Sequence, residues 1–276
     1  MTPINVTQPL DPRLRPPVGG AVRAALASEA TKLRSVRSTV WTLFVAVVAT
    51  VGIGALITIA RVSRWNDLSA RERLSLDPTT ISLRGVFLAQ LAIGVLGVLV
   101  ISSEYTTGMI RTTFAAIPNR PLVLFAKAAT FTVVAFVVST IACFVAFSIG
   151  QSILSSKHAN VSLSDPGILR AVVGAGTYLT LVGLLGLGLG TLLRRTAGAI
   201  ATLFGLVLVL PALTEALPSP WNTDVGKLLP INAGRAVFAV RPSTDLLSPG
   251  QGLVVLLVTV SVVLVMATLA LVRRDA

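Results

Sequence analysis

Six stretches of the chain are apolar on every helical face and nearly free of charge, at roughly 40–60, 85–103, 127–149, 168–193, 197–213 and 251–272. Prolines, charges and polar residues are gathered into the connections between them. A helix rises about 1.5 Å per residue, so about 20 apolar residues cross a hydrocarbon layer about 30 Å thick. Five stretches reach that length, and 197–213 sits at its lower limit. A helix in a water-soluble protein keeps a polar face, and six all-apolar helices in a chain of 276 residues exclude such a fold. The pattern predicts an all-α membrane protein whose domain 40–276 carries six transmembrane helices.

The connections have patterns of their own. Residues 1–20 hold Pro3, Pro9, Pro12, Pro16 and Pro17 without apolar periodicity, which predicts a disordered tail. Over 21–39, Val22, Leu26, Ala30, Leu33 and Val36 recur at helical spacing, with Arg23, Lys32, Arg34 and Arg37 mostly elsewhere on the wheel. This predicts an amphipathic helix in the membrane interface. Its charged candidates are Glu29, Lys32, Arg34 and Arg37, and it either anchors the first span or also touches a cytoplasmic partner. The 61–83 loop is polar, and Asp77-Pro78 reads as a stop signal before span two. Residues 214–250 hold five prolines yet keep an apolar part at 227–240, which predicts a re-entrant segment before the last helix. Six glycines crowd the fourth span, and Gly186-xxx-Gly190 suits close helix approach, either within one subunit or across a dimer seam.

Composition agrees with the pattern: 54% of residues are hydrophobic and the mean hydropathy is +0.85. The net charge of +12 is accounted for by Lys and Arg retained on the cytoplasmic side of spans. No stacking aromatics lie among the basic residues, so nucleic acid is not an expected partner. Placing both termini in the cytoplasm puts 13 of the 23 Lys and Arg inside. The short Arg194-Arg195 turn and the closing Arg273-Arg274 carry most of that assignment. Trp41, Trp65 and Trp221 fall at the edges of the spans, as interfacial belts require. The expected location is the plasma membrane, with the lipid bilayer as partner and the first span as the targeting element.

The spans hold almost no ionisable residues, each of which costs about 2.5–3.5 kcal/mol at mid-depth. Arg84, Glu104, Lys127, Arg170 and Glu215 fall at span ends and are expected to snorkel to water. That pattern disfavours a proton-coupled carrier and an intramembrane hydrolase. Cys143 is the single cysteine and His158 the single histidine, so neither a disulfide framework nor a metal cluster is expected. There is no G-x-S-x-G elbow. Nor is there a P-loop, since Gly226-Lys227 is followed by Leu228. The chain is therefore expected to be neither an enzyme nor a holder of cofactors; ATP-Mg would have to be bound by another chain.

Residues 101–121 are the most specific stretch. Glu104 and Tyr105 leave span two, Gly108 permits a turn, and 109–116 predicts a short helix with Met109, Ile110 and Phe114 as apolar contacts. Arg111 adds a charge, Pro118 ends the helix, and Arg120 follows. Such a helix suits a groove on a partner protein, and equally an ordinary turn at the membrane surface.

Taken in order, several motifs resemble those of the permease subunit of type-2 ABC exporters, especially actinobacterial members. They are 28–38 (SEATKLRSVRS), 103–108 (SEYTTG), 118–121 (PNRP) with Ala126-Lys127, 229–234 (LPINAG) and the closing Arg273-Arg274-Asp275. The resemblance covers about residues 25–276 and implies six helices, cytoplasmic termini, an interface helix and re-entrant helices in the fifth loop. It implies that 104–121 is a coupling loop docking on a cytoplasmic nucleotide-binding ATPase subunit, and that a second permease copy or paralogue completes the unit. Glu104, Tyr105, Gly108, Arg111, Phe114, Pro118 and Arg120 are its candidate transmission residues. The apolar walls suit a hydrophobic or amphipathic substrate. Members with large external domains have long loops that this chain lacks. An ATP-independent membrane scaffold, sensor or immunity protein is the alternative reading, with a secondary carrier after it.

Overall fold

The structure, a computed structural model, describes residues 18–219, 221–241 and 246–273. Most of the expected N-terminal tail lies outside these residues, but Val18 already opens a helix that runs to Ser35. Val36 is extended, and the break lets the chain turn from this interface helix into the first span. The six spanning-length helices are Arg37–Ser63, Val86–Thr106, Arg120–Ser155, Ile168–Leu193, Thr196–Glu215 and Pro249–Arg273. Among the described residues there is no strand. The chain is an all-α, multi-pass membrane protein.

Span four is the axis of the bundle. In its most apolar window 89% of residues are buried, against 61% in span two and 17–22% in spans one, five and six. Its glycines explain how one helix accepts so many neighbours. Gly186 and Gly190 face span two, Gly183 lies against Phe131 of span three and Ile93 of span two, Gly176 faces Thr140 of span three, and Gly188 faces Val263 of span six. A Cβ at Gly97 of span two would overlap the Gly183 carbonyl oxygen, and one at Gly186 would overlap the Gly94 carbonyl oxygen. The small-residue spacing is thus used within the subunit, where backbones meet without side chains between them.

Span three is longer than its apolar stretch. Its 36 residues extend about 54 Å, well beyond a hydrocarbon core of about 30 Å. The Asn119 side chain accepts from the Leu122 N–H, and Pro121 occupies the first turn, so the helix is nucleated before the apolar run begins. Spans one and five each contain a π-helical turn, at Ala49–Ile53 and Gly205–Val209. Gly85 lies against the Ala49 and Thr50 carbonyls of the first.

One of the connections differs from expectation. Asp77-Pro78 does not stop the chain but starts the helix Pro78–Ser82: the Asp77 carboxylate accepts from Thr79 and Thr80 N–H, and proline needs no donor partner there. That helix is held to span three by Gln151, whose Nε2 donates to Ser82 Oγ at 3.0 Å. The apolar 227–240 segment forms the helix Pro230–Phe238, preceded by Trp221–Lys227. Gly234 lies against the Tyr178 ring, eleven residues into span four, and Gly252 of span six accommodates Ala233. The segment therefore enters the bundle between spans, as a re-entrant helix. Arg170 closes it by donating to the Val237 and Ala239 carbonyls at 2.9 and 2.8 Å.

Candidate functional site

The end of the bundle that carries the interface helix also carries the loop between spans two and three, and charged side chains join them. The interface helix turns Ala25, Glu29 and Leu33 inward at four-residue spacing. A carboxylate therefore sits in the middle of its buried face. Below it lie Glu104, in the last turn of span two, and Lys127, two turns into span three. Lys127 Nζ donates to Glu29 Oε2 at 2.6 Å and to Glu104 Oε1 at 2.9 Å. Lys32 Nζ donates to Glu29 Oε1 at 2.7 Å and to the same Glu104 Oε1 at 2.9 Å.

Exposure is 2% for Lys127, 4% for Glu29 and 5% for Glu104, so these three groups are removed from water. Burying one such charge alone is prohibitive, and mutual pairing with hydrogen bonds is what makes the arrangement tenable. The cluster holds two carboxylates and two ammoniums and is formally neutral. Lys32, on the interface helix, is partly exposed. Its burial opposes the charge, but bonds to Glu29 and Glu104 outweigh that and hold its pKa above the ordinary 10.5.

This corrects the snorkelling expected of Glu104 and Lys127. Both lie near span ends, yet their charges are met inside the protein by a helix that covers them. Arg84 and Glu215 are exposed as expected, and Arg170 is exposed but engaged with the re-entrant helix. Glu29 and Lys32 belong to the cluster, whereas Arg34 and Arg37 face outward.

The rest of the loop is tied down by cations over rings. The Arg194 guanidinium lies 5.4 Å from the centroid of the Tyr105 ring, and Arg120 lies 5.5 Å from that of Phe114. Arg120 also donates to the Leu271 carbonyl at 3.1 Å, reaching the last turns of span six. Thr196 Oγ1 donates to Ser102 Oγ at 2.9 Å, linking span five to span two. Arg194 has a left-handed backbone, φ 53°, which makes the tight turn from span four to span five.

Gly108, with φ 73°, turns the chain into the helix Met109–Ala116. Ile110 points inward and is buried, and Phe114 packs half-buried beneath Arg120. Of the three apolar residues expected to contact a partner, only Met109 faces outward. Arg111, Thr112, Ala115, Ala116 and Pro118 complete the exposed side of this segment.

Two buried polar groups escaped the sequence reading. Tyr178 donates its hydroxyl to Gln90 Oε1, and Gln90 Nε2 donates to the Phe87 carbonyl at 2.8 Å. Phe238 of the re-entrant helix packs on both Phe87 and Tyr178. Glutamine and tyrosine in apolar runs hint at such a pair, but nothing local identifies partners 88 residues apart. Among the described residues no group of three His, Cys, Asp or Glu is placed to hold a metal ion.

Compared with protein-family models and with curated proteins, the chain matches none.

Proposed function

We propose that this chain is the membrane permease subunit of an ATP-binding cassette exporter of the type-2 kind, powered by a separate cytoplasmic ATPase. The observation that carries this reading is the buried cluster of Glu29, Lys32, Glu104 and Lys127 beside the exposed helix Met109–Ala116. The cluster makes the interface helix, the root of the loop and the start of span three one unit. A force applied to the loop helix is then delivered to spans two and three rather than absorbed by a slack connection.

In this mechanism the ATPase contacts the outward side of the loop helix at Met109, Arg111, Thr112 and Ala115. Glu104, Tyr105, Phe114 and Arg120 act behind that surface, holding the loop to the spans through the cluster and the two cation–ring contacts. ATP binding draws two ATPase chains together, the loops follow, and the seam between two permease copies opens outward. A groove of about 370 Å³ between spans one, two and five is lined by Trp41, Val45, Leu91, Val95 and Phe204, among others, and no ionisable side chain lines it. Its chemistry suits a hydrophobic or amphipathic cargo. Both termini then lie in the cytoplasm, and the membrane is the plasma membrane.

Arg111 is exposed, so reversing its charge should leave folding intact while weakening docking. Arg111→Glu is expected to reduce permease-dependent ATP hydrolysis and transport about tenfold, the effect of losing ~1.4 kcal/mol. Hydrolysis and transport at the unmodified level in a normally inserted Arg111→Glu protein would contradict the docking surface.

A further inference from the structure

At the end of the bundle opposite the buried cluster, several cations are engaged within the chain. Arg170 donates to the Val237 and Ala239 carbonyls, Arg73 lies over the Trp65 ring, and Arg241 has a partner. Lys227 and Arg235 differ. Neither makes a hydrogen bond, ion pair or ring contact with a described residue, yet both line one cavity of about 350 Å³. Glu215 lines the same cavity and pairs with neither of them. Two cations sharing a cavity repel each other unless an anion lies between them.

Four elements enclose the cavity: the end of span five, the helix Trp221–Lys227, the re-entrant helix and the approach to span six at Leu246. Asn232 Nδ2 donates to the Gly226 carbonyl at 2.9 Å and ties two of these walls together. Glu215 and Arg235 are exposed and Lys227 is half-buried, so the cavity opens at the surface. Span five has 20 residues, about 30 Å of helix. Glu215 at its end therefore marks the edge of the hydrocarbon layer, and the cavity lies at the level of lipid headgroups. Leu213, Leu217, Trp221 and Leu228, neighbours of the lining residues in sequence, are all exposed and supply apolar surface beside it.

Charge and depth together define the occupant. Among the described residues Lys227 and Arg235 bring two positive charges to the cavity and Glu215 one negative; Asp224, on the same short helix as Lys227, does not line it. One further negative charge makes the site neutral. A phosphodiester supplies that charge, and its two unesterified oxygens can accept from both cations at once. A zwitterionic headgroup adds an ammonium as well and leaves the excess positive charge in place. Basic pockets between membrane helices at headgroup level suit anionic lipids for this reason. We infer that the cavity binds a monoanionic glycerophospholipid. Its phosphate bridges Lys227 and Arg235, and its acyl chains lie along Leu213, Leu217 and Trp221.

The test uses the full chain in detergent, titrated with phospholipids of identical acyl chains and either a glycerol headgroup, which is monoanionic, or a choline headgroup, which is zwitterionic. Retained lipid is read by native mass spectrometry and stability by thermal unfolding. The glycerol lipid should bind about tenfold more tightly, the effect of one hydrogen bond between charged groups, and should raise the unfolding temperature saturably. The double substitution Lys227→Gln, Arg235→Gln should abolish that preference. Arg71→Gln removes an exposed cation that does not line the cavity and should leave it unchanged. The comparison of the two lipids needs no variant, so it stays decisive even if the double substitution misfolds. Equal binding of the two lipids would overturn the assignment. So would an undiminished preference in the folded double variant, or an equal loss in Arg71→Gln, which would reduce the effect to general surface charge. Soluble glycerol phosphate should give no comparable shift; reproducing the full effect with it would overturn the lipid and assign the site to a free anion. None of these readouts depends on an ATPase, so the site and the exporter reading stand or fall separately.

Discussion

Lys127→Met is expected to cost about 3–5 kcal/mol of stability, the loss seen when one partner of a buried ion pair is removed. Methionine matches the length of the lysine stem, so little packing is lost. What changes is that Glu29 and Glu104, both buried, share the single remaining ammonium of Lys32. The interface helix should then lose its hold on span three, and proteolysis between Ser35 and Arg37 should accelerate. Arg34→Met removes an equally basic residue from the same region, but Arg34 is exposed, and its loss should change stability by no more than about 0.5 kcal/mol. Thermal or denaturant unfolding of the two variants in one detergent provides the comparison. Equal losses would mean that the cluster contributes nothing beyond surface charge.

Gly97→Leu should be the most damaging change away from the charges. A Cβ at Gly97 would overlap the Gly183 carbonyl oxygen, and backbone cannot move aside as a side chain can. Spans two and four would have to separate along the contact that centres the bundle, at the upper end of the 1–3 kcal/mol typical of overpacked cores or beyond it. Gly198→Leu is the matched control, because a Cβ there meets nothing within 4 Å. Melting of the monomeric chain in detergent distinguishes the two. If Gly97→Leu melted with the unmodified protein, the glycine face would not be an intramolecular seam.

The six spans were legible because an all-apolar run of 20 residues has few other fates. Span four matched at both ends, since Gly167 and Arg194 adopt left-handed backbones that bound the helix sharply. From the apolar run alone span three begins at Lys127, seven residues late, because a lysine ordinarily marks the edge of such a run. Lys127 lies instead inside the helix, neutralised by Glu29 from 98 residues away, and no local pattern reports a partner at that distance. The same limit applied to the interface helix. Periodicity assigns its inward face by apolar residues alone, which groups Glu29 with the outward Arg34 and Arg37 although it lies between Ala25 and Leu33 on the buried side. The short helix 109–116 was legible from Gly108 and Pro118, but which side faced outward depended on Arg120 drawing Phe114 inward. Asp77-Pro78 is legible as punctuation; the Asp77 cap makes it a helix start rather than a stop, and Gln151 of span three fixes where that helix packs.

The most direct test of the central claim is co-purification of the tagged chain from mild detergent with any P-loop ATPase encoded beside its gene, with ATP hydrolysis measured with and without this chain. A stable complex with permease-dependent hydrolysis, lost when residues 109–116 are replaced by a glycine-serine linker, is the predicted result. Failure to retain any ATPase while the chain remains folded, with the interface helix protected from proteolysis, would contradict the exporter assignment and favour an ATP-independent scaffold.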